Sequence, residues 1–129
     1  MKNNENMLEL KNLETSFFTH LGEVKAVRNI SYGLKKGGIL GVVGESGSGK
    51  SVTLLSVMRL IESPGKIKGG EILFDGVDLT KISESEMQDT RGSEISMSFQ
   101  DNMTSINHVF TIPNQMFEVI AIHMRIKKE

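Results

Sequence analysis

Two stretches near the start of the chain alternate apolar and polar residues. The first, Leu8–Phe18, alternates imperfectly, and the second, Val24–Leu34, alternates more regularly. Side chains of a half-buried strand point in turn to the two faces of a sheet, so both stretches predict β-strands. The segment His20–Glu23 between them contains a glycine and predicts a hairpin turn. The chain is therefore expected to open with an antiparallel pair of strands.

A short, continuously apolar run, Ile39–Val43, follows a Lys-Lys-Gly-Gly turn. Runs of this kind fill the centre of parallel sheets, where both faces are buried, and we expect a buried parallel strand here. After a Gly/Ser-rich loop, Ser51–Ile61 predicts a helix that ends before Ser63–Gly65. The apolar residues at helical spacing in this segment are Leu54, Leu55, Met58 and Ile61.

Shorter signals follow in the middle of the chain. Glu71–Phe74 predicts a short strand closed by an Asp75–Gly76 turn, and Ile95–Phe99 predicts another strand. Between them, the capping-box pattern that starts at Ser83 predicts a short helix to about Arg91.

The last part of the chain divides into a polar and an apolar half. Asp101–Ile112 is polar and turn-like, and Pro113 suits the first turn of a helix. Gln115–Lys127 predicts a helix that is apolar around much of its circumference. Together these elements indicate an α/β protein with early antiparallel strands and a later strand–loop–helix unit.

Composition narrows the class of protein. The chain has 129 residues, of which 38% are hydrophobic and 24% charged, as is usual for one soluble globular domain. Its 15 basic and 16 acidic residues give a net charge of -1, which argues against a nucleic-acid binder. Cysteine is absent, so disulfide and cysteine–metal frameworks are excluded. Without a long apolar run or a secretory leader, we expect a cytoplasmic protein.

One string carries a specific chemistry. It matches the phosphate-loop pattern G-x-x-x-x-G-K-[ST], and its residues are Gly44, Glu45, Ser46, Gly47, Ser48, Gly49, Lys50 and Ser51. Glycines let the backbone approach a phosphate, and the following helix adds the positive end of its dipole. The Lys50 ammonium would lie near the β- and γ-phosphates, and the Ser51 hydroxyl would ligate Mg²⁺. The string predicts a site for a nucleoside triphosphate with Mg²⁺.

Other candidate chemistry is weaker. Asp89–Gly92 has the D-x-x-G form of a GTPase switch, but it follows a polar run and no N-K-x-D guanine reader occurs. Asp75 ends an apolar strand like a Walker B aspartate, yet Gly76 follows directly and favours a hairpin turn. The three histidines, His20, His108 and His123, lack metal-ligand spacing and are expected at the surface.

The order of these segments resembles the ATP-binding subunit of an ABC transporter, most closely the oligopeptide and dipeptide importers. The resemblance rests on Gly41–Thr53, on Gly69–Gly76 and on Phe99-Gln100-Asp101 followed by Met103-Thr104-Ser105. It runs from about Leu8 to Glu129 but covers only about the first half of such a domain. The implied fold is a P-loop ABC-type nucleotide-binding domain, with an antiparallel β-subdomain and the first part of a RecA-like core.

The resemblance also implies roles for individual residues. Phe17 matches the aromatic residue that stacks on adenine, with Phe18 as the competing choice. Gly44–Val52 would bind the nucleotide, with ATP and Mg²⁺ as the implied ligands. Gln100 matches the Q-loop glutamine, which contacts Mg²⁺ or the attacking water, so Ser51 and Gln100 are the implied metal ligands. The segment Asp101–Phe117 resembles the region that faces the membrane-embedded permease.

Three elements of the family pattern do not occur in the 129 residues: the LSGGQ signature, the Walker B aspartate with its catalytic glutamate, and the switch histidine. The chain is therefore expected to be a partial nucleotide-binding domain, with Walker A and the Q-loop present. In the full assembly it would couple ATP to peptide import on the inner face of the membrane, with permease subunits and a second nucleotide-binding subunit as partners. Alone, it would bind Mg-ATP without turnover.

Two other functions remain open at this stage. One is a non-catalytic interaction fragment that docks on a permease or a partner subunit through Asp101–Met124. The other is an unrelated P-loop kinase, which would transfer phosphate to an acceptor. Whether the chain is an enzyme stays open, because the resembled family is an ATPase coupled to transport, whereas the Walker B and signature motifs do not occur in these 129 residues.

Overall fold

The computed structural model describes residues 5–100 and 106–124 and divides the chain into two compact units, Met1–Ser83 and Glu84–Glu129. The first unit contains a four-stranded antiparallel sheet in the order β2-β1-β3-β4, together with one helix. Its elements are β1 (Asn6–Thr19), β2 (Gly22–Lys35), α1 (Lys50–Val57), β3 (Gly65–Phe74) and β4 (Val77–Asp78). The predicted opening pair of strands is thus confirmed, and β3 begins earlier than the sequence indicated.

Both predicted hairpin turns are present. Thr19 pairs with Gly22 across a two-residue loop between β1 and β2. Phe74 pairs with Val77 across Asp75 and Gly76, which have φ angles of 44° and 87°. Two successive positive φ angles match the twist of the flanking strands, which is why Asp-Gly is favoured at this place. Asp75 is therefore a turn residue and does not end a strand of a parallel core.

The core of the first unit is formed by residues of β1, β2, β3, α1 and the chain after β4. The buried apolar residues of this unit are Leu10, Leu13, Val27, Val57, Met58, Ile72 and Leu79. Polar groups are also buried here: the Thr15 hydroxyl lies 2.8 Å from that of Ser56, which in turn donates to the carbonyl of Val52 at 2.7 Å. Each buried hydroxyl thus has a partner, as burial requires.

Helix α1 is shorter than the predicted Ser51–Ile61. It ends at Val57, and two residues later Arg59 has a φ of 51°. The Arg59 guanidinium donates to the carbonyls of Leu79 and Ile82, at 3.2 and 2.8 Å. A positive φ cannot continue an α-helix. The turn at Arg59 therefore ends the helix and ties it to the chain after β4.

The predicted parallel strand at Ile39–Val43 is wrong for the described part of the chain. No strand is assigned there, and Ile39 and Val43 are 100% and 94% exposed. A strand of this type forms only against parallel neighbours, and the four strands of the first unit pair among themselves instead. The segment Ile39–Val43 is apolar, as a buried strand requires, but no strand within residues 5–100 and 106–124 pairs with it.

The second unit contains two helices, α2 (Glu84–Thr90) and α3 (Ile112–Met124). The helix after Ser83 is confirmed to within a residue, and Pro113 lies in the first turn of α3 as predicted. The predicted strand Ile95–Phe99 is wrong: only Ile95 forms an isolated bridge, with Arg91. One bridge does not make a ladder, because consecutive backbone pairs are needed.

Parts of two predicted segments lie outside the described residues. These are positions 101–105 of the polar segment and positions 125–127 of the last helix. Within α3, no residue is buried, and seven apolar side chains are 40% or more exposed. They are Ile112, Met116, Phe117, Val119, Ile120, Ile122 and Met124. The prediction of a helix that is apolar around much of its circumference is confirmed for the described part.

Candidate functional site

The phosphate-loop residues form a turn directly before α1. Gly47 and Gly49 have positive φ angles of 78° and 91°, and the Ser48 amide donates to the Glu45 carbonyl at 3.2 Å. Ser46 is in the same turn and is exposed. The loop therefore turns back on itself within four residues, and α1 begins directly after it, at Lys50.

Gly49 also fits a close contact with β2. A Cβ atom at this position would lie only 2.5 Å from the carbonyl oxygen of Ala26. Both the positive φ and the lack of space exclude a side chain. The second glycine of the pattern is thus explained by tertiary packing as well as by the turn.

The Lys50 ammonium lies inside the loop. It donates to the carbonyls of Gly44 and Glu45, at 2.7 and 2.6 Å, and to the Ser48 hydroxyl at 3.2 Å. The side chain therefore bends back over the turn from which it starts. A single positive charge is thus held inside the loop by two backbone carbonyls and one hydroxyl, and no carboxylate of residues 5–100 and 106–124 forms an ion pair with it.

The start of α1 fits an anion. Gly49 is the N-cap and makes no side-chain cap bond, and the first turn contains no acidic residue. The first N–H groups of an α-helix lack intrahelical partners, and the helix dipole makes this end positive. Ser51, in this turn, is exposed. The donor set of amides, one ammonium and a hydroxyl suits a phosphate with its Mg²⁺.

A groove of about 490 Å³ lies between β2 and the phosphate loop. Its lining includes Val24, Ala26 and Arg28 from β2 and Gly47 and Ser48 from the loop. In the sheet, Val24 is paired with Phe17. The groove therefore runs from the phosphate loop to the strand position that faces Phe17.

Phe17 and Phe18 occupy different faces of β1. Thr15 and Phe17 are two residues apart in regular register with β3, so Phe17 shares the face on which Thr15 contacts α1. Phe17 packs near Gly65, where a Cβ would lie 2.6 Å from its ring. Phe18 lies on the opposite face, with the ammonium of Lys66 at 4.6 Å from its ring centre.

The remaining predicted site residues are placed separately. Gln100 is exposed, lies in a bend and belongs to the second unit. Asp75 is ion-paired with Lys36 at 2.6 Å. Asp89 lies in the last turn of α2. The histidines are exposed, as predicted; they are His20, His108 and His123.

Sequence reasoning missed the residues that line the groove from β2. Val24, Ala26 and Arg28 belong to no motif, and their place beside the loop depends on how β2 packs against α1. The small side chain of Ala26, between Lys25 and Val27, was an available signal, because small residues allow close backbone contacts.

Comparisons with known proteins agree on one family. A family model described as ABC transporter matches residues 27–128. The oligopeptide transport ATP-binding protein OppD of Bacillus subtilis is 52% identical over 124 residues, which are 95% of this chain and 35% of that protein. The dipeptide transport ATP-binding protein DppD of Lactococcus lactis is 49% identical, over 92% of this chain and 34% of that protein. The chain thus spans about a third of the length of these relatives.

Solved structures support the same fold. The dimeric structure of MJ0796, a bacterial ABC transporter cassette, aligns with a TM-score of 0.80 at 23% identity. The alignment covers 95% of this chain and 50% of that one. A second structure of MJ0796, bound to ADP and Pi, aligns with a TM-score of 0.79. The predicted fold class is confirmed. In the described ranges, no helix has the length and hydropathy that crossing a membrane requires.

Proposed function

The chain belongs to the ABC transporter family, and on that basis we propose that it is the ATP-binding component of a peptide importer. The names of its relatives, oligopeptide and dipeptide transport ATP-binding proteins, support the choice of peptides as cargo. In this proposal the 129 residues form one partial nucleotide-binding domain with a Walker A loop and a Q-loop. The assembly lies against the inner face of the membrane, with permease subunits and a second ATP-binding subunit as partners.

The observation that carries the proposal is the position of Lys50. Its ammonium is held at the centre of the loop by two backbone carbonyls, at the uncapped start of α1. A fixed cation beside free helical N–H groups is a ready site for the terminal phosphates of ATP. The residues proposed to bind the nucleotide are Gly44, Glu45, Ser46, Gly47, Ser48, Gly49, Lys50, Ser51 and Val52.

The base and the metal have proposed sites as well. Phe17 lies on the α1 side of β1 and opposite Val24 of the groove, which supports Phe17 over Phe18 as the residue that stacks on adenine. The Ser51 hydroxyl and the Gln100 amide oxygen are the proposed ligands of Mg²⁺, in line with its preference for oxygen donors. Mg²⁺ neutralises charge on the phosphates when it is bound.

We further propose that this chain alone binds Mg-ATP without turning it over. Phosphoryl transfer needs a group that positions water, and Asp75 is the one carboxylate that could imitate a Walker B aspartate. It is instead part of a hairpin turn and paired with Lys36 at 2.6 Å. The loop residues bind and orient phosphate, and Gln100 is the proposed contact to the metal or water.

The experiment is a calorimetric titration of the 129-residue chain with Mg-ATP, alongside a phosphate-release assay. Lys50→Ala should weaken binding by about 1.5–3 kcal/mol, the usual value of a hydrogen bond to a charged group. Lys11→Ala, an exposed lysine on β1, is the matched control and should bind like the parent. Equal binding by Lys50→Ala contradicts the phosphate site, and turnover near one per second that needs Lys50 contradicts the absence of catalysis.

A second candidate is a docking fragment without nucleotide chemistry, favoured by the exposed apolar surface of α3. It predicts that the chain binds a permease with or without Mg-ATP and that Lys50→Ala binds equally well. Transfer of phosphate to an acceptor in the release assay would instead support a P-loop kinase.

A further inference from the structure

All three N–H donors of the Lys50 ammonium are used in hydrogen bonds within the loop. An ammonium group has three N–H donors and no acceptor. The three acceptors are the Gly44 carbonyl at 2.7 Å, the Glu45 carbonyl at 2.6 Å and the Ser48 hydroxyl at 3.2 Å. A phosphate oxygen that approaches Lys50 must therefore displace one of them.

The three bonds are not equally easy to break. Gly44 and Glu45 accept through backbone carbonyls. These carbonyls cannot turn away from Lys50 unless the loop backbone changes shape. Ser48 accepts through a hydroxyl that turns about one torsion, and its bond is the longest of the three. The Ser48 bond is the one that gives way.

The Ser48 hydroxyl also fills space inside the loop. It lies 2.7 Å from the point that a Cβ atom on Gly44 would occupy. The hydroxyl thus sits close to the Gly44 backbone, whose carbonyl also accepts from the ammonium. An oxygen in this place presents to Lys50 the kind of acceptor that a phosphate oxygen presents.

We infer that the Ser48 hydroxyl is an internal ligand of Lys50, which the phosphates of the nucleotide displace. The inference rests on the function proposed above and adds a positioning residue to it. In the free chain Ser48 holds the ammonium inside the loop. On binding, the hydroxyl rotates away and the third N–H of Lys50 passes to a phosphate oxygen.

The test compares Ser48→Ala with Ser85→Ala, a matched change at an exposed serine of α2 that lies outside the proposed nucleotide site. The full chain is titrated with Mg-ATP, Mg-ADP and AMP. Ser48→Ala should bind ATP and ADP about 3- to 10-fold more tightly, the value of one net hydrogen bond. AMP should be unaffected, because Lys50 reaches the β- and γ-phosphates. Ser85→Ala should match the parent.

Stopped-flow binding supplies a readout that a change of loop shape would not produce. The higher ATP affinity of Ser48→Ala should appear as a faster association rate. The reason is that the bond between Ser48 and Lys50 competes with ATP in the free chain and is absent from the complex. Unchanged or weaker ATP binding by Ser48→Ala overturns the inference, since the hydroxyl is then neutral or a ligand of the nucleotide. An equal gain for AMP also overturns it.

The two proposals fail in different ways. If the parent binds ATP and Lys50→Ala does not, the nucleotide site stands whatever Ser48→Ala shows. If the parent does not bind ATP, the proposed function fails and this inference fails with it. Circular dichroism of both serine variants verifies that the fold is unchanged.

Discussion

Phe17 and Phe18 are adjacent in sequence, and the pleat of β1 gives them different surroundings. Phe17 lies on the side of the sheet that carries α1 and packs near Gly65. Phe18, on the other side, is 39% exposed and lies beneath Lys66 and Lys68. The ammonium groups of Lys66 and Lys68 make cation–π contacts with the Phe18 ring, so they occupy the face on which a base would stack. The two rings are therefore not interchangeable as binding partners for a base.

We expect Phe17→Leu to weaken Mg-ATP binding by about 1 kcal/mol or more, because aromatic stacking on a base contributes about 1–3 kcal/mol. Leucine keeps most of the packing volume against Gly65 and loses the ring face. Phe18→Leu is the matched control and should leave the affinity unchanged. The measurement is calorimetric titration at one salt concentration, and a larger loss for Phe18→Leu would assign the base to the other face.

The residues of the phosphate loop were predictable, since the spacing of glycines with Lys50 and Ser51 encodes a local backbone shape. The contact of Gly49 with Ala26 was not, because it depends on a strand more than twenty residues away. Nor could alternation alone choose between Phe17 and Phe18. That choice needed the register of β1 with β3, which two imperfectly alternating strands do not specify.

At the scale of elements, α1 is joined to β1 by a pair of buried hydroxyls, Thr15 and Ser56. Both residues are 0% exposed. A buried polar group that loses its partner bears the full cost of desolvation, whereas removing both partners can be nearly neutral. The pair therefore couples helix to sheet without being a large net source of stability.

We expect Ser56→Ala to destabilise the chain by about 1–3 kcal/mol, because the buried Thr15 hydroxyl loses its bond to Ser56, whereas Ser56 itself also bonds to the Val52 carbonyl. The double variant Thr15→Val/Ser56→Ala should be more stable than additivity of the single variants predicts. Urea unfolding followed by circular dichroism gives the four values of the cycle. Strict additivity would show that the two hydroxyls do not interact.

The hairpin of β3 and β4 has its own polar anchor at Asp78. One carboxylate oxygen accepts from the Thr80 hydroxyl at 2.7 Å and the Thr80 amide at 3.0 Å, and the other lies 2.8 Å from Lys81. Burial on its own would raise the pKa of Asp78, but the hydrogen bonds from Lys81, Thr80 and Ile72 outweigh it, and the pKa is lowered from 3.8.

A carboxyl with a lowered folded-state pKa adds stability above its unfolded pKa and loses it as the pH falls through the folded value. We therefore expect Asp78→Asn to be less stable than the parent at pH 7, by about 1 kcal/mol or less, since Lys81 is largely exposed. The difference should shrink below about pH 3.8. Urea unfolding from pH 7 to pH 2.5 measures it, and a constant difference would contradict the role of the charge.

The strands that the sequence pattern predicted well are those whose partners lie nearby in the chain. β1 and β2 are joined by a two-residue loop, so their alternation and their turn point to the same hairpin. Ile39–Val43 and Ile95–Phe99 have strand composition but no partner strand in residues 5–100 and 106–124. Local pattern reports which residues suit a strand, whereas pairing depends on the rest of the sheet.

At the scale of the whole molecule, exposed apolar surface is found in both units. In the first it lies at Ile39–Val43, and in the second along α3. Contiguous apolar surface on a free chain promotes association. Each unit is therefore expected to be less soluble than its charge balance alone would indicate.

We expect the 129-residue chain to self-associate as its concentration rises. Replacing two exposed residues of α3, Val119→Lys and Ile122→Lys, should lower the association constant several-fold, because it removes apolar area and adds like charge. Sedimentation velocity over a concentration series measures the effect. Lys substitutions at two other exposed apolar residues, Leu21 in the β1–β2 turn and Val77 in β4, are the matched control. A monomeric parent at all concentrations would contradict the prediction.

The contact between Gly49 and Ala26 also concerns how copies of the chain can meet. β2 is the outermost strand of the sheet, and its pairing with β1 skips Ala26, where Thr15 faces Val27 and Ser16 faces Lys25. The phosphate loop rests against the carbonyl of this unpaired residue. A bulge and a covering loop are two ways in which proteins keep an open strand from recruiting another. The loop that holds the Lys50 ammonium thus also covers the border of the sheet at Ala26, where another strand would otherwise be able to pair.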